Sequence, residues 1–211
     1  GQRIAELIGV DSAFITSGAA AGLAISAAAC MAGADPARAR QLPDTTGMKD
    51  EIVCLRAHRI PYDQAIRLSG ARIVDVGYTD SSTLGDLAAA ISNRTAAVLY
   101  VAKKEKSPGS LPLRDVLNLA KDRGLPVIVD AADELPPASN LRRFADMGAD
   151  LTIFSGGKDL RGPQASGLIL GRRALIAACA VNACPNYGIG RPMKASKEAI
   201  AGLVRAVELY L

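Results

Sequence analysis

The sequence contains no tryptophan, three phenylalanines, five tyrosines and a single histidine, His58. Aromatic residues make up 4% of the 211 positions, against 49% for all hydrophobic residues, so the core must be built from Ala, Val, Ile and Leu. That favours tight helix-on-sheet packing over a β-sandwich. One histidine removes multi-histidine metal clusters and most zinc-site designs, and no metal is expected. The four cysteines, Cys30, Cys54, Cys179 and Cys184, form no C-x-x-C pair. In a chain that is neither small nor cysteine-dense they read as reduced thiols of a cytoplasmic protein.

A large excess of one charge is also lacking. The formal net charge is +4, and no basic block is longer than Lys103-Lys104. A nucleic-acid partner is allowed by this balance but not required. From residue 12 to residue 34 there is no charged side chain at all. That stretch exceeds the ~20 residues that cross a bilayer, but it is mostly Ala, Gly and Ser, and no membrane span is expected. The chain begins and ends in helical patterns, residues 2–8 and 197–211. Both ends look like cuts through a longer protein.

What is present is a regular alternation. Seven short apolar runs, at residues 13–16, 52–55, 72–76, 97–101, 126–130, 151–155 and 167–170, are separated by segments of helical periodicity such as 19–32, 61–68, 84–91, 113–123 and 140–147. Strand, helix, strand at this spacing implies βαβ units. Consecutive apolar positions such as Val127-Ile128-Val129 are those of strands covered on both faces. The expected fold is α/β: a mostly parallel seven-stranded sheet with helices on both faces, in one domain over residues 1–211. Residues 33–49, polar and with two prolines, read as an irregular excursion.

Ligands of open α/β sheets bind beyond the carboxyl ends of the strands, and three such ends carry chemistry. After the first strand comes Thr16-Ser17-Gly18-Ala19-Ala20-Ala21-Gly22, small residues that let a helix N-terminus approach a phosphate. The same residues also suit an ordinary helix cap. After the fifth strand comes Asp130, a carboxylate directed into the cleft, where its burial is costly unless a cation or a hydrogen-bond donor meets it. A protonated pyridine nitrogen, a magnesium ion or an N-cap role would each answer that need. After the sixth comes Ser155-Gly156-Gly157-Lys158. A lysine there is either solvated or a Schiff-base former, which requires partial desolvation of the amine. A P-loop is excluded by Thr152 and Asp159, which stand where its first glycine and its Ser or Thr belong. Together, phosphate cup, acid and lysine are what pyridoxal 5′-phosphate (PLP) requires of a protein.

The ordered segments TSGAAAG, VDAADELPP and FSGGKDLRGPQASGLILG, with residues 188–194 and Lys197-Glu198, resemble the fold-type I PLP superfamily. Within it they are most similar to the group of bacterial selenocysteine synthase and the glucosaminate-6-phosphate ammonia-lyase-like proteins. The resemblance implies that the chain is a PLP-dependent transferase-like large domain, lacking that superfamily's N-terminal arm and C-terminal small domain. It implies that Lys158 holds the cofactor as a Schiff base and moves the substrate proton, and that Asp130 pairs with the ring nitrogen. Ser17, Gly18 and Ala19, with Thr16 and Ser155, would hold the phosphate, and His58 would stack on the cofactor face. Arg191 or Lys194 would bind a substrate carboxylate. A lyase catalysing β-elimination on an amino acid or amino sugar acid is the expected activity. Its alternatives are β-replacement on seryl-tRNA and an inactive binding protein. The departure at Gly157, where selenium transferases carry an acid, weighs against the tRNA substrate. A homodimer or higher homo-oligomer is expected.

Overall fold

The structure, a computed structural model, describes residues 1–211. In chain order its elements are α1 (Gln2–Ile8), β1 (Ser12–Thr16), α2 (Ala19–Ala32), α3 (Pro36–Gln41), β2 (Glu51–Leu55), α4 (Asp63–Leu68), β3 (Arg72–Val76), α5 (Leu84–Ala90), β4 (Thr95–Val101), α6 (Leu113–Asp122), β5 (Val127–Asp130), α7 (Asn140–Met147), β6 (Leu151–Ser155), β7 (Gly167–Gly171), α8 (Arg173–Val181) and α9 (Lys197–Tyr210). Short 3-10 turns, Arg56–His58 and Ala102–Lys104, extend β2 and β4.

The strands form one sheet in the order β1-β7-β6-β5-β4-β2-β3. Strand β7 runs antiparallel to both β1 and β6, and the remaining pairs are parallel. The carboxyl ends of β1 to β6 therefore reach one edge, where β7 begins. At that edge Thr16 and Ser155 both pair with Gly167, and Val101 pairs with Asp130.

Because side chains alternate along a strand, each strand feeds two cores. Val53, Leu55, Val98, Tyr100, Val127 and Val129 enter a layer completed by α1, α5, α6, α7 and α9. Ile52, Cys54, Ala97, Leu99 and Ile128 enter the opposite layer, beneath α2, α4 and α8. The uncharged stretch is explained here. Helix α2 is buried over most of its length because it lies against the sheet. A Cβ at Gly22 would stand 3.0 Å from Ile153 Cγ2, so only small residues permit this approach. No helix of the chain is long and apolar enough to cross a membrane.

The expected excursion at residues 33–49 is corrected in part, since it contains α3. Asp35 caps it by accepting from the Ala37 and Arg38 N–H groups, with Pro36 in its first turn. An acidic cap followed by proline is itself a helix-start signal, hidden by the shortness of the element. Helix α8 is a further element beyond the helical segments read from periodicity.

Ile128 lies at the middle of the sheet and has no exposed surface. Ile128→Ala should cost about 2–5 kcal/mol of stability, the usual range for such a truncation. Urea unfolding would measure it, and an unchanged midpoint would contradict the burial.

Candidate active site

Four strand ends build one concave surface. Strand β5 ends on Asp130, and the turn from Ala131 to Glu134, closed by a 3.1 Å Glu134 N–H to Ala131 O bond, carries Asp133 back toward the edge. Strand β4 runs into the 3-10 turn bearing Lys103 and Lys104. The segment after β2 supplies Ile60, Pro61 and Tyr62, and the loop after β6 supplies Lys158. Asp130, Asp133, Lys158, Lys103, Lys104 and Tyr62 line a cavity of about 320 Å³.

Lys158 Nζ donates to Asp133 Oδ1 at 3.2 Å, with 43% of the lysine side chain exposed. Lys103 Nζ pairs with the other oxygen of the same carboxylate. These contacts, that of Lys103 foremost, hold the Asp133 carboxyl below the usual carboxylate range against its partial burial. Asp130 differs. It is 7% exposed, accepts one hydrogen bond, 3.1 Å from the Ala132 N–H, and has no ion-pair partner. Burial pushes its carboxyl above the ordinary range, and the Ala132 N–H and the positive charge of Lys158 oppose that shift.

The lysine loop depends on its two glycines. A Cβ at Gly156 would fall 2.1 Å from Ser166 Oγ, and one at Gly157 would fall 2.7 Å from Gln164 Cα. The loop closes through a 2.8 Å bond from the Gly162 N–H to Gly156 O, and Arg161 adopts φ 52°. A non-glycine residue in the left-handed region marks local strain.

The second centre is the start of α2. Gly18 has φ 141°, and no side chain caps the helix. The ordinary-cap alternative therefore fails. Thr16 is buried, and its hydroxyl donates to Gly18 O at 2.9 Å instead of accepting from the first turn. A Cβ at Gly167 would stand 2.4 Å from Gly18 C and 2.7 Å from Ala19 N, so β7 presses its first residue against this loop. Helix N–H groups left without internal partners face outward here. Ser155 lies across Gly167 from Thr16. Thr16, Ser17, Gly18, Ala19 and Ser155 share the carboxyl edge of the sheet but do not line the 320 Å³ cavity. Strand β1 is three strand spacings from β5, roughly 14 Å.

The family model SelA, L-seryl-tRNA selenium transferase, matches residues 2–211. The chain belongs to this family. It is 41% identical over its whole length to D-glucosaminate-6-phosphate ammonia lyase of Salmonella typhimurium, covering 56% of that protein. It is 42% identical, again over its whole length, to 5′-C-glycyluridine monooxygenase-decarboxylase of a Streptomyces species, covering 52% of it. Identity to the L-seryl-tRNA(Sec) selenium transferase of Serratia proteamaculans is 29% over 98% of the chain and 44% of that protein. A solved structure of D-glucosaminate-6-phosphate ammonia-lyase superposes with a TM-score of 0.91 over the full chain and 56% of its own. The chain thus spans about half the length of these relatives.

Three further expected residues of this selenium-transferase family member sit elsewhere than the cavity. His58 has no exposed surface, so no ring face is open for stacking. Its Nδ1 accepts from the Val101 N–H at 3.1 Å, which places its proton on Nε2, 2.9 Å from Ser110 Oγ. Its ring meets Tyr100 edge-on at 4.5 Å. His58 is a buried latch between β4 and the loop before α6, and Tyr62 is the ring that lines the cavity. Arg191 stacks over Tyr187 at 5.2 Å and donates to Pro185 O. Lys194 lines a separate apolar groove with Phe14, Met193 and Ile200. Sequence reading missed Lys103, Lys104, Asp133 and Tyr62. The signals were an acid three residues beyond Asp130 and a basic pair directly after a strand.

Burial, followed by the charge of Lys104, lowers the His58 pKa from 6.5 to about 4. As pH falls through 6.5 the unfolded chain gains this proton while the folded ring stays neutral. The stability present above pH 6.5 is therefore lost between pH 6.5 and 4, by on the order of 2–3 kcal/mol. Unfolding free energies from pH 7 to 4.5 should fall more steeply in the parent than in His58→Gln, and equal slopes would refute the assignment.

Proposed function

We propose that residues 1–211 form the PLP-binding domain of an enzyme acting on a small amino acid or amino sugar acid, and that the reaction is a β-elimination releasing ammonia or water. The observation that carries this is the joint presence of Lys158 and a buried, cation-free Asp130 on one cavity. The residues fit the cofactor. A buried carboxylate without a counter-charge is unstable unless a cation meets it, and a protonated ring nitrogen is such a cation. The uncapped start of α2, with Ser17, Gly18 and Ala19, suits a phosphate. Lys158 would hold the cofactor covalently.

When bound, PLP supplies an electron sink for charge that develops beside the substrate amine. Lys158, freed when the substrate amine displaces it from the cofactor, would have its Nζ available as the base that takes the proton from the carbon bearing the amine. Asp133 orients the Lys158 side chain by accepting the hydrogen bond of its Nζ at 3.2 Å, and Lys103 keeps Asp133 in place from the other side. Asp130, nearly enclosed, would carry its negative charge where the cation of the ring nitrogen offsets the cost of burial. The relatives at 41% and 42% identity catalyse different reactions. The lyase reading is preferred because the lyase also shares the fold at a TM-score of 0.91. The low net charge of +4, without a basic block, supports a small-molecule substrate over tRNA. The four free thiols suit a reducing cytoplasmic setting. A homodimer or higher homo-oligomer is proposed on the family resemblance.

Borohydride treatment of the full-length protein with PLP should leave the reduced cofactor on the peptide of Lys158, and Lys158→Ala should abolish the adduct. An adduct on another lysine, or none, would overturn the cofactor assignment. Addition of D-glucosaminate 6-phosphate or related amino sugar acids should release ammonia. Loaded protein that releases none from this class would overturn the lyase reading.

A further inference from the structure

The charges around the cavity do not all find partners. Asp133 is shared by Lys103 and Lys158. Asp130 is reserved, on the reading above, for the ring nitrogen. Lys104 lines the same cavity, is half-buried, and has no carboxylate within ion-pairing distance. Nor is it a loose surface side chain. Its turn is fixed at both ends, by the Val101 N–H to His58 bond at 3.1 Å and by the Glu105 N–H to Ala102 O and Ser107 N–H to Lys104 O bonds, each 2.9 Å. Its field reaches the buried ring behind it, since Lys104 helps to depress the His58 pKa. A cation held by rigid backbone, partly desolvated and unmatched, attracts an anion more strongly than a solvated one does.

We propose that Lys104, with Lys103 beside it, is an anion subsite of the cavity, and that the substrate is a small amine bearing an oxyanion, either a phosphate monoester or a carboxylate. This rests on the preceding reading in that the amine end must reach Lys158. It assigns to the turn after β4 the role expected of Arg191 and Lys194, neither of which lines this cavity. A charge-assisted hydrogen bond of this kind corresponds to roughly a tenfold change in affinity or more.

Two measurements test the subsite. In the first, cofactor-free protein is acetylated with an amine-reactive ester, with and without inorganic phosphate at matched ionic strength, and modification is read residue by residue by mass spectrometry. Phosphate should slow acetylation of Lys104, and less so of Lys103, while leaving the exposed Lys49 unchanged. No slowing at Lys104, or equal slowing at Lys49, overturns the proposal. In the second, PLP-loaded protein is assayed with D-glucosaminate 6-phosphate and with D-glucosaminate. Lys104→Gln should raise KM roughly tenfold, by a larger factor than kcat falls, and Lys104→Arg should recover most of it. A rise for the phosphorylated substrate alone identifies the phosphate as the bound group. An equal rise for both identifies the carboxylate, and no rise for either overturns the subsite. The acetylation measurement needs no cofactor. Loss of the Lys158 adduct with phosphate protection intact therefore refutes only the PLP reading. An intact adduct without protection refutes only the subsite.

Discussion

A carboxylate sits where water scarcely reaches, at the end of the strand that runs through the middle of the sheet. Asp130 is enclosed by β4 and β6 on either side and receives only one backbone hydrogen bond. An isolated buried charge carries a cost of several kcal/mol unless a cation compensates it. On the proposed function, that compensation comes from the cofactor. Lys103 and Lys158 both pair with Asp133, and the charge of Lys158 acts on Asp130 without pairing with it.

The arrangement around it has a consistent division of labour. Asp133, paired with both Lys103 and Lys158, is the acid that handles lysines, while Asp130 is buried and has no ion-pair partner. Two carboxylates three residues apart thus acquire opposite electrostatic characters from burial and neighbours alone. The start of α2 supplies the third element, an N-terminus left uncapped because its cap residue, Gly18, has no side chain, while the Thr16 hydroxyl is committed to Gly18 O. His58 contributes indirectly. By binding the Val101 N–H it fixes the end of β4, and with it the basic turn that follows.

Fold class was legible because strands covered on both faces must be apolar at consecutive positions, as at Val127-Ile128-Val129, and because Ala- and Gly-rich helices such as α2 are those that pack closest to a sheet. All seven strands were found near their expected bounds. Helix α3 escaped notice because six residues give too few turns for a period to emerge, although Asp35-Pro36 announced its start. The placement of Asp130 and Lys158 at the carboxyl edge was legible because Asp130 closes one apolar run and Lys158 follows another after two glycines, so the chain must deliver both there.

Sequence by itself therefore determined the α/β architecture and which residues, Asp130 and Lys158 among them, stand at the carboxyl edge of the sheet, since these depend on local hydrophobic pattern and on position along a strand. Only the tertiary structure decided which other side chains join them. His58, the expected stacking ring, turned inward because two backbone-linked groups, the Val101 N–H and the Ser110 hydroxyl, satisfy both of its nitrogens. Lys103, Lys104 and Asp133 entered the site because the strand order sets β4 beside β5, and β5 beside β6. Adjacency between segments distant along the chain is set by sheet order, and no local pattern encodes it.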